Sequence, residues 1–240
     1  MLDRASARRL PCVSGALEGV AIMRWLLERI AGVACHGLDA RSLCVGGEVL
    51  PFCGRCTGFY IGIAATALAL AGAGRLRRHR LPSAPTIALL CVPWAMSGAA
   101  RLLEMGGYDV AGNLGRALLG FACGASATML LAPLWARVLW PQGSPPRRSA
   151  AATVGLAALM AAVGLAAVAG IPPAARYYLA AVATAVGFLT AATAVNALVL
   201  VAIMARGDGG FRLVRAALPA CAAAVEIAGL SMMGSWLRVW

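Results

Sequence analysis

The sequence predicts an all-α fold, a polytopic transmembrane helix bundle of about six spans preceded by an N-terminal amphipathic helix. Of its 240 residues, 61% are hydrophobic and 12% are charged, whereas soluble domains are only about half apolar. All 21 basic residues are arginines, and they separate long uncharged stretches. We therefore interpret them as topology signals and expect the lipid bilayer as a partner, but no nucleic acid.

Six uncharged or nearly uncharged stretches are long enough for membrane spans, since a helix needs about 20 mostly apolar residues to cross the hydrocarbon core. The last of them contains one acidic residue, Glu226. The stretches lie between Arg55 and Arg75, Arg80 and Arg101, Arg116 and Arg137, Arg148 and Arg176, Arg176 and Arg206, and Arg215 and Arg238.

Residues 1–34 are expected to contain an amphipathic or membrane helix. The stretch from Gly15 to Ala34 has helical character, but it contains four charged residues, which are costly in hydrocarbon. Its apolar residues can share one face, which indicates an interfacial helix, with a seventh span as the alternative. Those apolar residues are Ile22, Trp25, Leu26, Ile30 and Val33.

The rest of the chain divides into a cysteine-rich surface loop (35–57), a three-span module (58–140), a Pro/Gly loop (141–150) and three further spans (151–240). Arginines concentrate in the first, third and fifth connections, which lie on one side of the membrane. The positive-inside rule places that side in the cytoplasm. We therefore expect the cysteine loop on the outer face of a bacterial cytoplasmic membrane, although the N-terminal arginines favour the reverse unless the first helix also crosses.

Small residues one helical turn apart occur in the first and third spans: Gly58 with Gly62, and Gly120 with Gly124. Such pairs let helices approach closely. We expect ordinary close packing within the bundle rather than a specific dimer face. An oligomer and protein partners are left open.

The first span begins at a C-x-x-C sequence formed by Cys53 and Cys56. This spacing lets two sulfurs clamp a metal ion or close a disulfide. The backbone N–H groups at the start of the helix and the intervening Arg55 favour the thiolate form. The pair is therefore a candidate reactive or metal-binding site.

Upstream cysteines and a histidine can complete a metal site, because a Cys₃His set is typical of structural zinc. The leading hypothesis is a surface loop that binds zinc or another transition metal, in a structural or metal-handling role. Cys44 is a substitute ligand. The alternative is a membrane thiol-disulfide oxidoreductase that uses Cys53 and Cys56, which an oxidising environment on the outer side would favour. A third possibility is that the cysteines share no metal or redox site. The predicted metal ligands are Cys35, His36, Cys53 and Cys56.

A mixed-charge cluster is expected beside the cysteine loop, because the second span ends and the third begins on that side of the membrane. A site at the mouth of a bundle has this composition. The alternative is that these charges only bound helices and pair with lipid headgroups. The cluster consists of Arg41, Arg55, Arg101, Glu104, Asn113 and Arg116.

Glu226 lies near the middle of the predicted sixth span, where ionisable groups are rare and usually functional or paired. It supports a second alternative, a small-solute or ion transporter. A neutral, hydrogen-bonded carboxyl group is the competing interpretation. Whether the protein is an enzyme is left open.

The cysteine motif resembles that of a family of small predicted membrane proteins, the domain-of-unknown-function 2085 family, over roughly residues 30 to 135. The resemblance implies no particular activity. Gly37, Cys44 and Ser97 depart from the family pattern, and Ser97 replaces an aspartate. The matching residues are Cys35-His36, Arg41-Ser42, Gly47, Pro51, Cys53, Arg55-Cys56-Thr57-Gly58, Tyr60 and Gly62, and further along Gly98, Asn113, Arg116, Gly120 and Gly124.

Overall fold

The computed structural model describes residues 21–35, 41–45, 47–76, 81–109, 112–139 and 173–204. These residues form five helices and one two-stranded sheet. In chain order the elements are α1 (Ala21–Ala34), β1 (Ser42–Val45), β2 (Glu48–Cys53), α2 (Gly54–Gly72), α3 (Ala84–Met105), α4 (Gly112–Leu139) and α5 (Pro173–Met204).

Four of the described helices are long and apolar enough to cross a membrane: α2, α3, α4 and α5. They correspond to the first, second, third and fifth predicted spans. The predicted fourth and sixth spans, the Pro/Gly loop and residues 1–20 lie outside the described residues. A membrane-embedded helical protein is therefore supported, while the count of six spans stays a prediction.

Helix α2 lies at the centre of the described bundle and packs against α4 and α5. Its glycines allow the backbones to approach closely. A Cβ atom on Gly58 would overlap the carbonyl of Ala117, and one on Gly124 would overlap the carbonyl of Phe59. The α2–α4 contact within one chain thus uses the small residues as packing positions, which is the interpretation that the sequence favoured.

The predicted surface loop contains an antiparallel β-hairpin, so the all-α prediction was incomplete. Ser42 pairs with Cys53 and Val45 with Glu48. Gly47 lies in the turn with φ 89°, a left-handed conformation that glycine adopts without strain. Strand β2 leads directly into α2, so the hairpin fixes the position at which the first membrane helix begins.

A hydrophobic core lies where α1, β2 and α5 meet, beside the start of α2. It places α1 against the bundle through Leu27, Ile30 and Ala31. Trp25, which we expected on the apolar face, is instead exposed, with the Arg29 guanidinium 5.1 Å from its ring centroid. The remaining buried members of the core are Leu50, Phe52, Tyr177, Ala181 and Ala185.

Helix α3 lies at the edge of the described bundle and packs against α4. Ala100 is its one buried residue, while Leu89 and Leu102 are each 70% exposed. An apolar helix so exposed is suited to a lipid surrounding, in which apolar side chains lose nothing by facing outward. This surface supports the lipid bilayer as partner.

Candidate metal centre

Three cysteine side chains come together at the junction of α1, β2 and α2. Cys35 follows the last residue of α1, Cys53 ends β2, and Cys56 lies in the first turn of α2. Their three sulfur atoms lie within 4.8 Å of one another, and all three residues are half-buried. The structure thus brings together three of the four predicted metal ligands.

The start of α2 sets the backbone geometry around the three cysteines. Cys53 is the N-cap residue, with φ −62° and ψ 155°, and no side chain caps this helix end. The Cys53 N–H donates a hydrogen bond to the Cys35 sulfur (3.3 Å), and the Thr57 hydroxyl donates one to the Phe52 carbonyl (3.2 Å). An uncapped helix N-terminus carries partial positive charge, which favours thiolates placed near it.

The other predicted candidates differ in position. His36 lies outside the described residues. Cys44 is disulfide-bonded and exposed, so its sulfur is not the substitute ligand that we expected. Cys91 on α3 and Cys123 on α4 are free thiols that are not part of the three-sulfur cluster.

A buried ion-pair network joins three membrane helices next to the cysteines. The Oε1 atom of Glu104 on α3 accepts hydrogen bonds from Arg55 on α2 (3.2 Å) and from Arg116 on α4 (2.9 Å). Arg116 also donates to Asp109 (3.1 Å) and to the side-chain oxygen of Asn113 (2.9 Å). Four of the six predicted cluster residues therefore contact one another, and Asp109 joins them.

Asn113 connects this network to the hairpin. Its side-chain amide donates a hydrogen bond to the Ser42 carbonyl (2.9 Å). Because Ser42 pairs with Cys53 across the sheet, the bond holds β1 beside β2, the strand that ends at Cys53. The two remaining cluster residues, Arg41 and Arg101, are exposed and lie outside this chain of contacts.

A cavity of about 340 Å³ adjoins the cysteine cluster between α2, α3 and α4. Cys56 forms part of its wall, so the cavity reaches the candidate metal centre. Sequence reasoning missed most of its lining. The sequence signal for one of its walls is the helical spacing of Trp94, Ser97 or Gly98, and Arg101, which places them on one face of α3. The lining residues are Arg55, Cys56, Phe59, Trp94, Ser97, Gly98, Arg101, Gly120 and Cys123.

The candidate site lies in a segment that matches a known protein family. Residues 35–131 match a family described as predicted membrane protein, domain of unknown function 2085. The matched segment includes the hairpin, the three clustered cysteines, the ion-pair network and all of the described residues that line the cavity. Helices α1 and α5 lie outside it, although both pack against the hairpin.

One similar protein is described only as uncharacterised. It is a protein of Methanocaldococcus jannaschii that is 22% identical over 114 residues, which cover 48% of this chain and 71% of the relative. No solved structure is significantly similar to the chain. The comparisons therefore support a membrane domain without supplying an activity, and the functional argument depends on the geometry of the site.

Proposed function

We propose that this integral membrane protein binds a transition metal ion, zinc first, through Cys35, Cys53 and Cys56, with His36 as the fourth ligand. The observation that carries the proposal is the convergence of the three sulfurs within 4.8 Å of one another. His36 follows Cys35 directly in the chain, and a Cys₃His set is typical of structural zinc.

The spacing of the sulfurs is close to what a zinc ion requires. A tetrahedral zinc ion with Zn–S distances of about 2.3 Å places its sulfurs about 3.8 Å apart. Sulfurs already within 4.8 Å of one another reach that spacing through changes of about 1 Å or less. Such changes are within the range of side-chain rotation and need no rearrangement of the helices.

The surroundings of the cluster suit bound thiolates. Bringing three thiolates together is unfavourable unless a cation compensates their charge. The N–H···S hydrogen bond from Cys53 to Cys35 and the N-terminus of α2 contribute further stabilisation. Thiolate ligands select soft or borderline metals such as zinc and Cu(I) over magnesium and calcium.

A structural role follows from where the ligands originate. One cysteine follows α1, one ends β2 and one opens α2, so a single ion would join three elements at the membrane surface. Because those elements are also held by the hydrophobic core around Leu50 and Phe52, the ion would reinforce an existing junction. Metal handling remains the alternative role, and it requires that the ion exchange.

The test is the metal content of the full chain purified in detergent, with parallel titration of free thiols. We expect about one zinc ion per chain, and its loss in the single variants Cys53→Ser and Cys56→Ser. The matched control is Cys91→Ser, which removes an exposed thiol outside the cluster. Absence of metal, with two thiols beyond the two of the Cys44 disulfide missing until reductant is added, would overturn the proposal and favour the thiol-disulfide oxidoreductase.

The other interpretations stay predictions. The oxidoreductase hypothesis uses the same pair, Cys53 and Cys56, and is separated from the metal site by the thiol titration. Glu226, on which the transporter hypothesis depends, lies outside the described residues. The bacterial cytoplasmic membrane, and the placement of the cysteine cluster on its outer face, are likewise part of this proposal.

A further inference from the structure

We infer that the cavity between α2, α3 and α4 binds one anionic phospholipid, with the lipid phosphate between Arg55 and Arg101 and an acyl chain against Phe59 and Trp94. This inference is independent of the proposed metal site, although Cys56 borders both. Three observations lead to it: the unused hydrogen-bond donors of the cavity, its apolar depth and its charge.

Two guanidinium groups reach the cavity with donors to spare. Arg55 Nε is buried and has no hydrogen-bond partner in the part of the chain that the structure describes. Among those same residues, Arg101 forms no ion pair. Arg55 Nε has almost no accessible surface, so an oxyanion in the cavity would be bound by Arg101 and by the accessible part of the Arg55 side chain, which is 21% exposed.

The charge of the lining is positive. Among the described residues that line the cavity, Arg55 and Arg101 are charged and none is a carboxylate. Glu104, which does not line the cavity, neutralises part of the charge on Arg55. It also forms an ion pair with Arg116. The charge left over at Arg101 is thus complementary to an anion and unsuited to a cation.

The cavity continues into an apolar, aromatic region. The rings of Phe59 and Trp94 lie edge to face with their centroids 6.0 Å apart. Trp94 precedes Arg101 by seven residues, so the cavity follows α3 for about 10 Å from its charged end toward the hydrocarbon. Its volume of about 340 Å³ lies at the small end of the range for ligand pockets, enough for a phosphate and the start of a chain.

The surface next to the cavity can accept the rest of such a molecule. Trp94 itself is 44% exposed, and Ile87, two turns earlier on the same face of α3, is 36% exposed. An acyl chain that leaves the cavity would therefore continue along apolar side chains. A free inorganic phosphate would use the arginines but leave this apolar region unoccupied, and a zwitterionic lipid would bring a cation toward Arg101.

The experiment measures equilibrium binding of dioleoylphosphatidylglycerol to the delipidated full chain in nonionic detergent by native mass spectrometry. We expect one saturable site that prefers this lipid over dioleoylphosphatidylcholine. Arg101→Gln should weaken binding roughly tenfold, the effect of one charge-assisted hydrogen bond. Gly98→Leu should abolish it, because a Cβ at this cavity position meets nothing within 4 Å and the leucine side chain can occupy the space.

Two matched controls distinguish lipid binding in this cavity from nonspecific electrostatic binding to the protein surface. Arg41→Gln removes an exposed arginine outside the cavity lining, and Gly72→Leu adds the same side chain where open space lies at the far end of α2. Both should bind the lipid as the unmodified chain does. Zinc content measured on the same samples should not change, which keeps the two proposals distinguishable.

Three outcomes would overturn the inference. Arg101→Gln and Gly98→Leu could both bind with unchanged affinity. Arg41→Gln could weaken binding as much as Arg101→Gln, which would mean diffuse surface charge. Inorganic phosphate could bind as tightly as the phospholipid, which would mean that the aromatic region contributes nothing.

Discussion

Replacing Glu104 by glutamine should destabilise the bundle strongly, because this one carboxylate stands between two guanidinium groups from different helices. Its side chain is 6% exposed, and Oε1 accepts from Arg55 at 3.2 Å and from Arg116 at 2.9 Å. Removing one partner of a buried ion pair costs about 3–5 kcal/mol, since the other charge stays buried and uncompensated. Glutamine keeps one acceptor, so we expect a loss of about 3 kcal/mol in the free energy of unfolding.

The matched variant is Asp109→Asn, which removes an equal charge from the same arginine, Arg116. Asp109 is 64% exposed, so its ion pair at 3.1 Å should contribute less than about 1 kcal/mol. The assay is reversible unfolding of both variants in mixed detergent micelles, followed by circular dichroism. Equal losses in Glu104→Gln and Asp109→Asn would refute the reasoning that burial makes the Glu104 pairs important.

A double variant tests whether the Glu104 and Arg116 side chains stabilise each other. In Glu104→Gln with Arg116→Gln, the buried cation that lost its partner is itself removed. We therefore expect the double variant to lose less stability than the sum of the two single variants. Strict additivity would mean that the two side chains do not interact energetically.

Three further predictions concern the framework of the site. Asn113→Leu removes the hydrogen bond to the Ser42 carbonyl and should lower zinc affinity about tenfold, measured by competition with a chelator, without preventing folding. Gly124→Ala places a methyl group against the backbone of α2 and should cost about 1–3 kcal/mol in unfolding free energy, whereas Gly72→Ala, in open space, should cost nothing. Trp135→Phe removes the indole hydrogen bond to a carbonyl of α5 (2.8 Å) and should cost about 0.6 kcal/mol; no change would mean that this contact is energetically silent.

The membrane helices were predictable because crossing hydrocarbon demands a long uncharged stretch, and charges therefore mark the ends. The helix ends differ from the predicted ends where a charged residue has a buried partner. Arg116 was expected to end the uncharged stretch, yet it lies inside α4 and is buried, because Glu104 and Asn113 satisfy its donors. Charge alone marks a helix end only when no buried partner is present.

The hairpin was not predicted from the sequence, in which the cysteine spacing indicated only a surface loop. Its signals are present in the sequence, since Gly46-Gly47 separates two short runs rich in valine and leucine. The three cysteines of the cluster were predicted from spacing, but the pairing of Ser42 with Cys53, which helps to position them, depends on that hairpin.

The cavity could not have been predicted, because it depends on how three helices cross. The sequence shows Trp94 and Arg101 on one face of α3, but not that Phe59 of α2 and Gly120 of α4 lie opposite them. The close approach of α2 and α4 at Gly124 sets that arrangement, and α3 packs on α4 beside it. Periodicity within a helix identifies a face, whereas the neighbour of that face is a tertiary property.

X-ray absorption spectroscopy of the purified, zinc-loaded full chain tests the central claim most directly, because it reports the atoms bound to the metal. The account predicts three sulfur atoms at about 2.3 Å and one nitrogen at about 2.0–2.1 Å. Cys56→Ser should retain too little zinc for this sulfur shell to appear, and in Cys91→Ser the shell should be unchanged. A shell of oxygen and nitrogen atoms alone, or one unaltered by Cys56→Ser, would contradict the assignment of Cys35, Cys53 and Cys56 as a metal centre.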